Sequence, residues 1–489
     1  MSTAASPIRI RNSHQLFVGG RWVDARRGGR IELASPQREE VFATVAEASE
    51  PDVDAAVAAA RTAFDNGKWP RMSPAERAAH LQRMSALLEK RLPELSRAWV
   101  EQTGALASAA PFVIGGGKFW FDYYAGLAQT FPFEEPRAPF DGRGSAFVVR
   151  EPVGVVAAIA PWNNPFGIMA GKVAPALLAG CTVVMKPAPE TPLEAYILAE
   201  VAEEAGLPAG VVNLVTTHRQ AADHLASHRD VDKVSFTGSV VAGRRIASVC
   251  GHRLARCTLE LGGKSAAVVL DDYDVGAAAR ELTKTIVLSA GQVCATLSRV
   301  IVMKNRHDQL VEALRAEMAA IRVGDPDDAT SQMGPLAMQR QRTRVENYIG
   351  LGKAEGAQLV AGGRRPAHLP RGYYIEPTLF TRVTSAMQIA KDEIFGPVLA
   401  VFACDTEEEA VRIANESPFG LYGAVFTHDR ERAWRVARGV RTGTFTQNVF
   451  RFDPSLPFGG FKESGIGREG GPEGLASFTE MKSILLEGQ

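Results

Sequence analysis

Five short apolar runs, separated by intervals long enough for helices, constrain the fold of this chain more than any other feature. The runs are VGVVAAIA (153–160), CTVVMK (181–186), VVNLV (211–215), KVSF (233–236) and SAAVVL (265–270). Strands that are buried on both faces and alternate with helices form parallel sheets. The pattern therefore predicts an α/β fold with a doubly wound sheet, in which ligands bind beyond the carboxyl ends of the strands.

Length and composition limit the class of protein. The 489 residues exceed one ordinary core, which predicts two or three domains. Lys plus Arg and Asp plus Glu each number 55, and this balance gives no support for a nucleic-acid partner. The five cysteines contain no CxxC pair, so neither a disulfide framework nor a metal site is predicted. With no signal peptide and no apolar run of about 18 residues, we expect a cytoplasmic protein without membrane contact.

Polar or glycine-containing turns follow three of the predicted strands. Asn163, in PWNNP, is either a turn residue or an amide donor to an oxyanion. Lys186, held by the prolines of KPAPETP, could bind a ribose or a phosphate. Gly238 and Ser239, in FTGS, would bring a phosphate close to a helix N-terminus, although the pattern is not GxGxxG. Together these turns indicate a nucleotide site.

Two further residues are candidates for covalent chemistry. Glu260, in LELGGKS, ends a strand, where burial should raise its pKa as suits a general base. A hydrogen-bonded structural glutamate explains the same pattern, and Gly262 and Gly263 are expected to leave the side chain room to move. Cys294, in GQVCAT, follows a glycine turn, but a free cysteine is more often a small buried apolar residue than a nucleophile.

The flanking regions have clear local signals. Ser73 and Glu76 form a capping box that predicts a helix over 73–91. Turn residues followed by the alternating strand AFVVRE predict that segment 132–156 is a projecting hairpin, of the kind that makes subunit contacts.

Seven motifs stand in one order along the chain: PWNNP, KPAPETP, FTGS, LELGGKS, GQVCAT, EIFGPV and PFGGFKESGIGRE. This series resembles the NAD(P)-dependent aldehyde dehydrogenase superfamily, from about LFVGGRW (16–22) to FTEMKSI (478–484). The resemblance implies a Rossmann-type, doubly wound cofactor domain, an α/β catalytic domain and a β-hairpin oligomerisation arm, assembled as a homodimer or homotetramer. The implied limits are 1–130 and 152–260, 261–470, and 131–151 with 471–489, respectively.

The resemblance also implies a catalytic role for several side chains. Cys294 would add to the aldehyde, and the amide of Asn163 would hold the resulting oxyanion together with the Cys294 backbone N–H. Glu260 would activate the water that hydrolyses the thioester. Lys172 and Glu469 would relay protons to this base, although an ordinary structural ion pair explains them equally well.

NAD is the implied cofactor. The residues that match cofactor contacts are Trp162, Lys186, Gly238, Ser239, Glu393 and Phe395. NADP stays open because Pro189 stands where many NAD-preferring relatives carry Glu, and Glu190 comes one residue later. The segment TTHRQ (216–220) also replaces glycines that are usual near the adenine.

The substrate tunnel departs from the family pattern. Asn164, Gly171 and Leu288 stand where relatives often carry Phe, Trp and Phe, so the tunnel should be wider or more polar than in enzymes for small aliphatic aldehydes. The candidate aromatic wall residues are Phe450, Phe452, Phe458, Tyr123 and Tyr124, with Phe458 foremost. The neighbours of the cysteine, Val293 and Ala295, should line the mouth. There is no basic pair of the kind that holds the carboxylate of an acidic semialdehyde.

The predicted reaction converts an aldehyde, NAD⁺ and water into a carboxylic acid and NADH. One alternative is a CoA-acylating enzyme, but such members generally lack the glutamate base. Another, from a different class, is a catalytically silent binding or structural protein of the same fold. The presence of Cys294, Glu260 and Asn163 in one chain argues against both.

Overall fold

Two large β-sheets, a three-stranded sheet and two two-stranded sheets organise residues 8–487, the part of the chain that the computed structural model describes. The strands are β1 (Leu16–Val18), β2 (Arg21–Val23), β3 (Gly29–Ser35), β4 (Glu40–Glu47), β5 (Glu134–Arg137), β6 (Ser145–Pro152), β7 (Val155–Ile159), β8 (Thr182–Lys186), β9 (Val212–Leu214), β10 (Lys233–Thr237), β11 (Arg256–Glu260), β12 (Ser265–Val269), β13 (Leu297–Met303), β14 (Gln358–Ala361), β15 (Thr378–Thr381), β16 (Val398–Cys404), β17 (Phe419–Gly420), β18 (Tyr422–Phe426), β19 (Thr444–Gln447), β20 (Phe461–Lys462), β21 (Gly465–Ile466) and β22 (Thr479–Leu486).

Helices cover the faces of these sheets and connect their strands. They are α1 (Glu50–Asp65), α2 (Pro74–Thr103), α3 (Ala110–Leu127), α4 (Pro165–Ala179), α5 (Leu193–Glu204), α6 (Arg219–Ser227), α7 (Val240–Arg253), α8 (Val275–Val287), α9 (His307–Ala319), α10 (Gln339–Ala354), α11 (Gln388–Lys391), α12 (Glu407–Asn415), α13 (Arg430–Gly439) and α14 (Gly471–Ala476). Among the residues described, no helix has both the length and the apolar character needed to cross a bilayer.

The first sheet has the strand order β2-β1-β9-β8-β7-β10-β11-β21. Its five central strands, β9 to β11 in this order, run parallel, as the apolar runs predicted. The chain reverses its direction of winding between β7 and β10, and this switch point opens a crevice at the carboxyl ends of the strands. The register sets Lys186 beside Ile159 and Thr237 beside Glu260, so the predicted ligand-binding turns emerge at one edge.

The fifth apolar run lies in a different sheet from the other four. It forms β12, in the centre of a second sheet ordered β14-β15-β16-β13-β12-β18-β19, where only β14 is antiparallel. The chain crosses from one sheet to the other immediately after Glu260. The apolar character of the run could not show that it belongs to the second sheet, because β12 is as fully buried as the strands of the first sheet. The chain later returns to the first sheet, where β21 pairs with β11. β21 therefore belongs to this sheet although it lies beyond residue 260, the predicted end of the cofactor domain.

The predicted arm has three strands rather than two. The strand β6 pairs with β5 and also, over eight residues, with β22 near the end of the chain. The hairpin expected over 132–156 therefore ends at Pro152, and β7 begins the first sheet three residues later.

The helix predicted over 73–91 continues to Thr103 despite Pro93. Ser73 caps it as expected, with both bonds of the capping box formed. A proline inside a helix costs about 3 kcal/mol. The residues beyond it, Leu95 and Trp99, are fully buried, and burying two such side chains offsets a cost of this size.

Candidate active site

A left-handed turn delivers Cys294 to the crevice between the two large sheets. Ser289, Ala290 and Gly291 all have positive φ, at 46°, 53° and 72°. Gly291 is required, because a Cβ at this position would lie 2.3 Å from the Gly396 carbonyl oxygen. The glycine turn seen in GQVCAT is therefore a close contact with the EIFGPV motif.

The buried side chain of Gln292 holds this turn through two hydrogen bonds. Its side chain accepts a hydrogen bond from the Ala337 N–H at 3.0 Å and donates one to the Ser289 carbonyl at 2.8 Å. Its backbone carbonyl accepts a hydrogen bond from Asn163 Nδ2 at 2.9 Å. The amide predicted to hold the oxyanion therefore lies against the cysteine segment, although it follows a strand of the other sheet.

Cys294 is half-buried and is a neutral thiol at rest. Burial, together with the nearby negative charges of Glu393 and Glu260, raises its pKa to about 12. Reaction with a carbonyl carbon thus requires a group that removes the thiol proton. Ala295 is fully buried, so the expectation that it lines the substrate mouth is wrong; only the partly exposed Val293 can do so.

Glu260 ends β11 as a buried carboxyl group. Both of its oxygens lack a hydrogen-bond partner among the residues described. Burial and the charge of Glu469 raise its pKa well above its usual range, while Lys172 and Arg468 oppose the shift. A buried carboxyl group without a partner is costly unless it has a chemical task.

The space around Glu260 comes from a glycine that the sequence did not point to. A Cβ on Gly459 would lie 2.6 Å from Glu260 Oε1. Gly262 instead leaves room for the carboxylate of Glu393, and Gly263 for the carbonyl of Cys294. The expectation that these two glycines serve Glu260 is therefore wrong, since the chain has already turned towards the second sheet.

Lys172 and Glu469 meet in a buried network behind Glu260. The Lys172 ammonium lies 2.5 Å from Glu469 Oε1 and 3.4 Å from the Ser235 hydroxyl, which itself donates to Glu469 at 3.3 Å. Ser235 was not singled out in the sequence, because a serine inside an apolar strand carries no signal of its own. Backbone hydrogen bonds in both directions join Glu469 to Phe458.

The cofactor side of the crevice offers cationic and N–H donors. Burial lowers the pKa of Lys186 to about 8, and within residues 8–487 no side chain accepts a hydrogen bond from its ammonium. Ser239 caps α7 and accepts from the Ala242 N–H at 3.3 Å. The Thr237 hydroxyl beside it is buried without a partner among the residues described. These free donors fit the phosphate and ribose groups of a dinucleotide.

The other end of the cofactor crevice contains Glu393, Phe395 and Trp162. Glu393 accepts a hydrogen bond from the Gly263 N–H at 3.0 Å, and burial raises its pKa to about 7. Phe395 has a φ of 61° and packs edge-on against Trp162, with ring centroids 5.2 Å apart. Both rings adjoin residues of the site, since Trp162 precedes Asn163 and Phe395 precedes Gly396, which contacts the turn before Cys294.

The segment 216–220 has a structural explanation. The hydroxyls of Thr216 and Thr217 donate to the carbonyls of Ala46 and Ala48, which ties the segment after β9 to the end of β4. Both threonines are buried. Local packing therefore explains these two threonines of the segment.

Comparison with known proteins identifies the family. The model of the aldehyde dehydrogenase family matches residues 22–484. The chain is 43% identical to geranial dehydrogenase from Castellaniella defragrans, over 97% of this chain and 99% of the relative.

The fold agrees with solved structures. An aldehyde dehydrogenase from Mycobacterium tuberculosis in complex with NAD⁺ superimposes with a TM-score of 0.93 at 45% identity, covering 97% of this chain and 98% of the other. A variant of aldehyde dehydrogenase C from Pseudomonas syringae, complexed with NAD⁺ and octanal, gives a TM-score of 0.94 at 38% identity, covering 98% of both chains.

The chain belongs to the aldehyde dehydrogenase family. It is an oxidoreductase that acts on aldehydes with a nicotinamide cofactor, as the series of seven motifs predicted.

In this aldehyde dehydrogenase, an aromatic side chain from α3 fills the space that Gly171 opens. A Cβ on Gly171 would lie 3.3 Å from Trp120 Nε1, and a Cβ on Gly470 would lie 3.5 Å from the same indole. Gly171 of α4 therefore lies directly beside an indole that α3 supplies. The sequence could not show this contact, because residues 120 and 171 have no local relation.

A second aromatic group comes from β18 and from the segment that follows β19. Tyr422, Phe450, Phe452 and Phe458 form a chain of rings with centroids 5.0 to 5.7 Å apart. Three of them were predicted, and Tyr422 was missed because it lies in the buried strand β18. The predicted Tyr124 is fully buried and is core, whereas Tyr123 is partly exposed beside the loop at Ser455.

Proposed function

We propose that Cys294, Asn163 and Glu260 carry the oxidation of an aldehyde to its carboxylic acid through a thioester on Cys294. The observation that supports this most is Glu260, a buried carboxyl group with two unpartnered oxygens whose charge opposes ionisation of the Cys294 thiol. Such an isolated pair of acidic groups is costly in a structural role and suits proton transfer.

The first step adds the Cys294 sulfur to the aldehyde carbon while the thiol proton passes to Glu260. The oxyanion of the resulting thiohemiacetal accepts hydrogen bonds from Asn163 Nδ2 and the Cys294 backbone N–H. Asn163 exchanges its present bond to the Gln292 carbonyl for this one. A donor of this kind contributes roughly 3–4 kcal/mol to the transition state in comparable sites.

A bound nicotinamide would supply the acceptor for the hydride that leaves the tetrahedral carbon. Lys186, the first turn of α7 and Glu393 would hold the rest of the dinucleotide, and Trp162 and Phe395 would limit access of water. Collapse of the oxyanion leaves a thioester on Cys294. Once the thiol proton has left Glu260, the carboxylate removes a proton from water, which attacks the thioester, expels the Cys294 thiolate and releases the acid. Lys172, Ser235 and Glu469 provide a buried route by which the proton leaves Glu260.

NAD is the proposed cofactor rather than NADP. Glu190 lies close enough to Lys186 for its charge to act on that ammonium, and a carboxylate there disfavours a ribose phosphate. Its pairing with Arg340, at 2.5 Å, weakens this effect without removing the charge. The solved relatives described above are complexes with NAD⁺.

The substrate proposed is an apolar aldehyde, either branched or long-chain. We infer that Trp120, the chain of rings ending at Phe458, and the partly exposed Leu288 line the approach to Cys294. The names of two relatives, a geranial dehydrogenase and an enzyme crystallised with octanal, point the same way. The test is NADH formation with aliphatic, terpenoid, aromatic and semialdehyde substrates and both cofactors. Faster turnover of acidic semialdehydes, or of every substrate with NADP⁺, would contradict these proposals.

Trp120 is expected to set the width of the tunnel. The substitution Trp120→Ala removes the indole beside Gly171 and leaves that space without a large side chain. We expect kcat/KM to fall by about tenfold for linear aldehydes, which lose an apolar contact, and to rise for bulky aromatic ones. The control is Phe112→Ala, an exposed ring on the same helix. Equal loss for every aldehyde in Trp120→Ala would indicate a structural role only.

We further propose that the enzyme is a homo-oligomer assembled through its arm. The strand β19 ends the second sheet with a free edge, and beside it lies a groove of about 940 Å³ in which Trp434 is 69% exposed. A free edge and an exposed indole suit an added strand from a second copy, and β22 or β5 can supply it.

Trp434→Glu tests this assembly, since a charge in the groove should release monomers that light scattering detects after size-exclusion chromatography. The control is Leu351→Glu, which places a charge at an exposed leucine of α10. A monomeric parent protein would disprove the proposal. A cytoplasmic location is also proposed, because all five cysteines are free thiols.

A further inference from the structure

Three ligand-type side chains meet on the outer surface of the first sheet's helices. Asp54 belongs to α1, His224 lies in the last turn of α6, and His228 caps the end of that helix. Asp54 Oδ1 lies 2.6 Å from His224 Nε2 and 3.4 Å from His228 Nε2. All three ligand atoms are within 4.8 Å of one another.

We propose that Asp54, His224 and His228 form a binding site for a divalent transition-metal cation, with Zn²⁺ as the preferred ion. Two imidazoles and one carboxylate are a ligand set that Zn²⁺ accepts at about 2.0–2.2 Å, which separates neighbouring ligand atoms by about 3.4 Å in a tetrahedron. The Asp54–His228 pair has this spacing. The Asp54–His224 pair is held closer by its hydrogen bond and opens when the cation replaces the shared proton.

The site is open on one side. Asp54 is 53% exposed and His224 34%, whereas His228 is 14% exposed. Water can therefore complete the fourth coordination position, and a cation can enter from solvent without a change of fold.

The two helices are positioned independently of any cation. His218 bonds Glu47 at 2.7 Å, and Gln220 bonds Glu50 at 2.9 Å, in the same row of contacts as His224 with Asp54. The ligands therefore need little ordering when a cation binds, and this favours binding.

One contact opposes tight binding. The Asp230 N–H lies 3.1 Å from His228 Nδ1, so that nitrogen carries no proton in the metal-free protein. Coordination through Nε2 moves the imidazole proton to Nδ1, and the Asp230 N–H must then turn away. We therefore expect an affinity in the micromolar range and not that of a closed structural zinc site.

A bound cation would join α1 to α6. The first of these helices packs on β7, β8 and β9, and the second packs on α7, whose N-terminus faces the proposed phosphate site. Because a ligand that binds only the folded state stabilises it, Zn²⁺ should raise the temperature at which this half of the protein unfolds.

The experiment is titration of Zn²⁺ into the metal-free, full-length protein by calorimetry, in a Cys294→Ala background that removes the active-site thiol. We expect saturable binding of one ion per chain, weakened at least tenfold by His224→Gln, His228→Gln or Asp54→Asn. His252→Gln, at an exposed histidine of α7, should bind like the parent.

Thermal unfolding provides a second measurement. Zn²⁺ should raise the unfolding temperature of the parent and of His252→Gln but not of the three site variants, and their unfolding in EDTA shows that each is folded. Absence of saturable binding to the parent, or equal binding by parent and site variants, would overturn the proposal.

Discussion

Cys294→Ala is expected to lower the rate of aldehyde oxidation by about four orders of magnitude or more, because it removes the thiol proposed to form the covalent intermediate. Binding of NAD⁺ should be unchanged, since the proposed cofactor contacts come from other segments. Steady-state NADH formation measures the first effect, and calorimetric titration with NAD⁺ measures the second.

Cys294→Ser is the matched control for this variant. It keeps the size and shape of the side chain but replaces the thiol by a poorer nucleophile, so its activity should fall almost as far. Retained turnover in either variant would show that Cys294 is not the nucleophile. Loss of NAD⁺ binding would show that the substitution disturbs the left-handed turn instead of removing chemistry.

Glu260→Gln is expected to slow thioester hydrolysis by about 10²- to 10⁴-fold, the usual contribution of a general base. The acyl-enzyme should then accumulate after mixing with aldehyde and NAD⁺, and intact-mass spectrometry should detect it. An unchanged steady-state rate without any adduct would assign the base to another residue. Glu463→Gln, an exposed glutamate on the neighbouring loop, serves as the control.

The pH dependence separates this role from a structural one. Since the folded-state pKa of Glu260 is raised, the base loses its proton only as pH rises above the usual range of a glutamate. In the pH–rate profile, the rate should therefore rise at a pH above the usual range of a glutamate. This rise should disappear in Glu260→Gln. The same shift means that Glu260 stabilises the fold most when it is protonated, and this contribution is lost as pH rises through the raised pKa. The substitution Glu260→Gln should therefore not lower the free energy of unfolding at neutral pH.

The residues that follow parallel strands were predictable from the sequence for a physical reason. Parallel strands end at one edge, so Asn163, Lys186 and Glu260 had to meet there once the apolar runs were recognised. Cys294 follows a different kind of segment, and only its motif and the order of its neighbours along the chain pointed to it.

The contacts that could not be predicted join distant parts of the chain. The resemblance already brought Lys172 and Glu469, which are 297 residues apart, together near the base, but Ser235 between them has no local signature. Trp120 takes the place of a side chain that Gly171 lacks, which requires knowledge of how α3 crosses α4. Gly459 gives Glu260 its space for the same reason, since steric room depends on tertiary packing.

The left-handed turn before Cys294 has a consequence for how the enzyme fails under stress. Non-glycine residues in this conformation each store roughly 1–2 kcal/mol, and Ser289 and Ala290 are held there only by their surroundings. When heat or denaturant loosens those surroundings, we expect this turn to be the first part of the crevice to leave its left-handed conformation, because doing so releases the stored strain. We therefore expect activity to be lost on heating before the two large sheets unfold, an order that activity assays and circular dichroism can measure side by side.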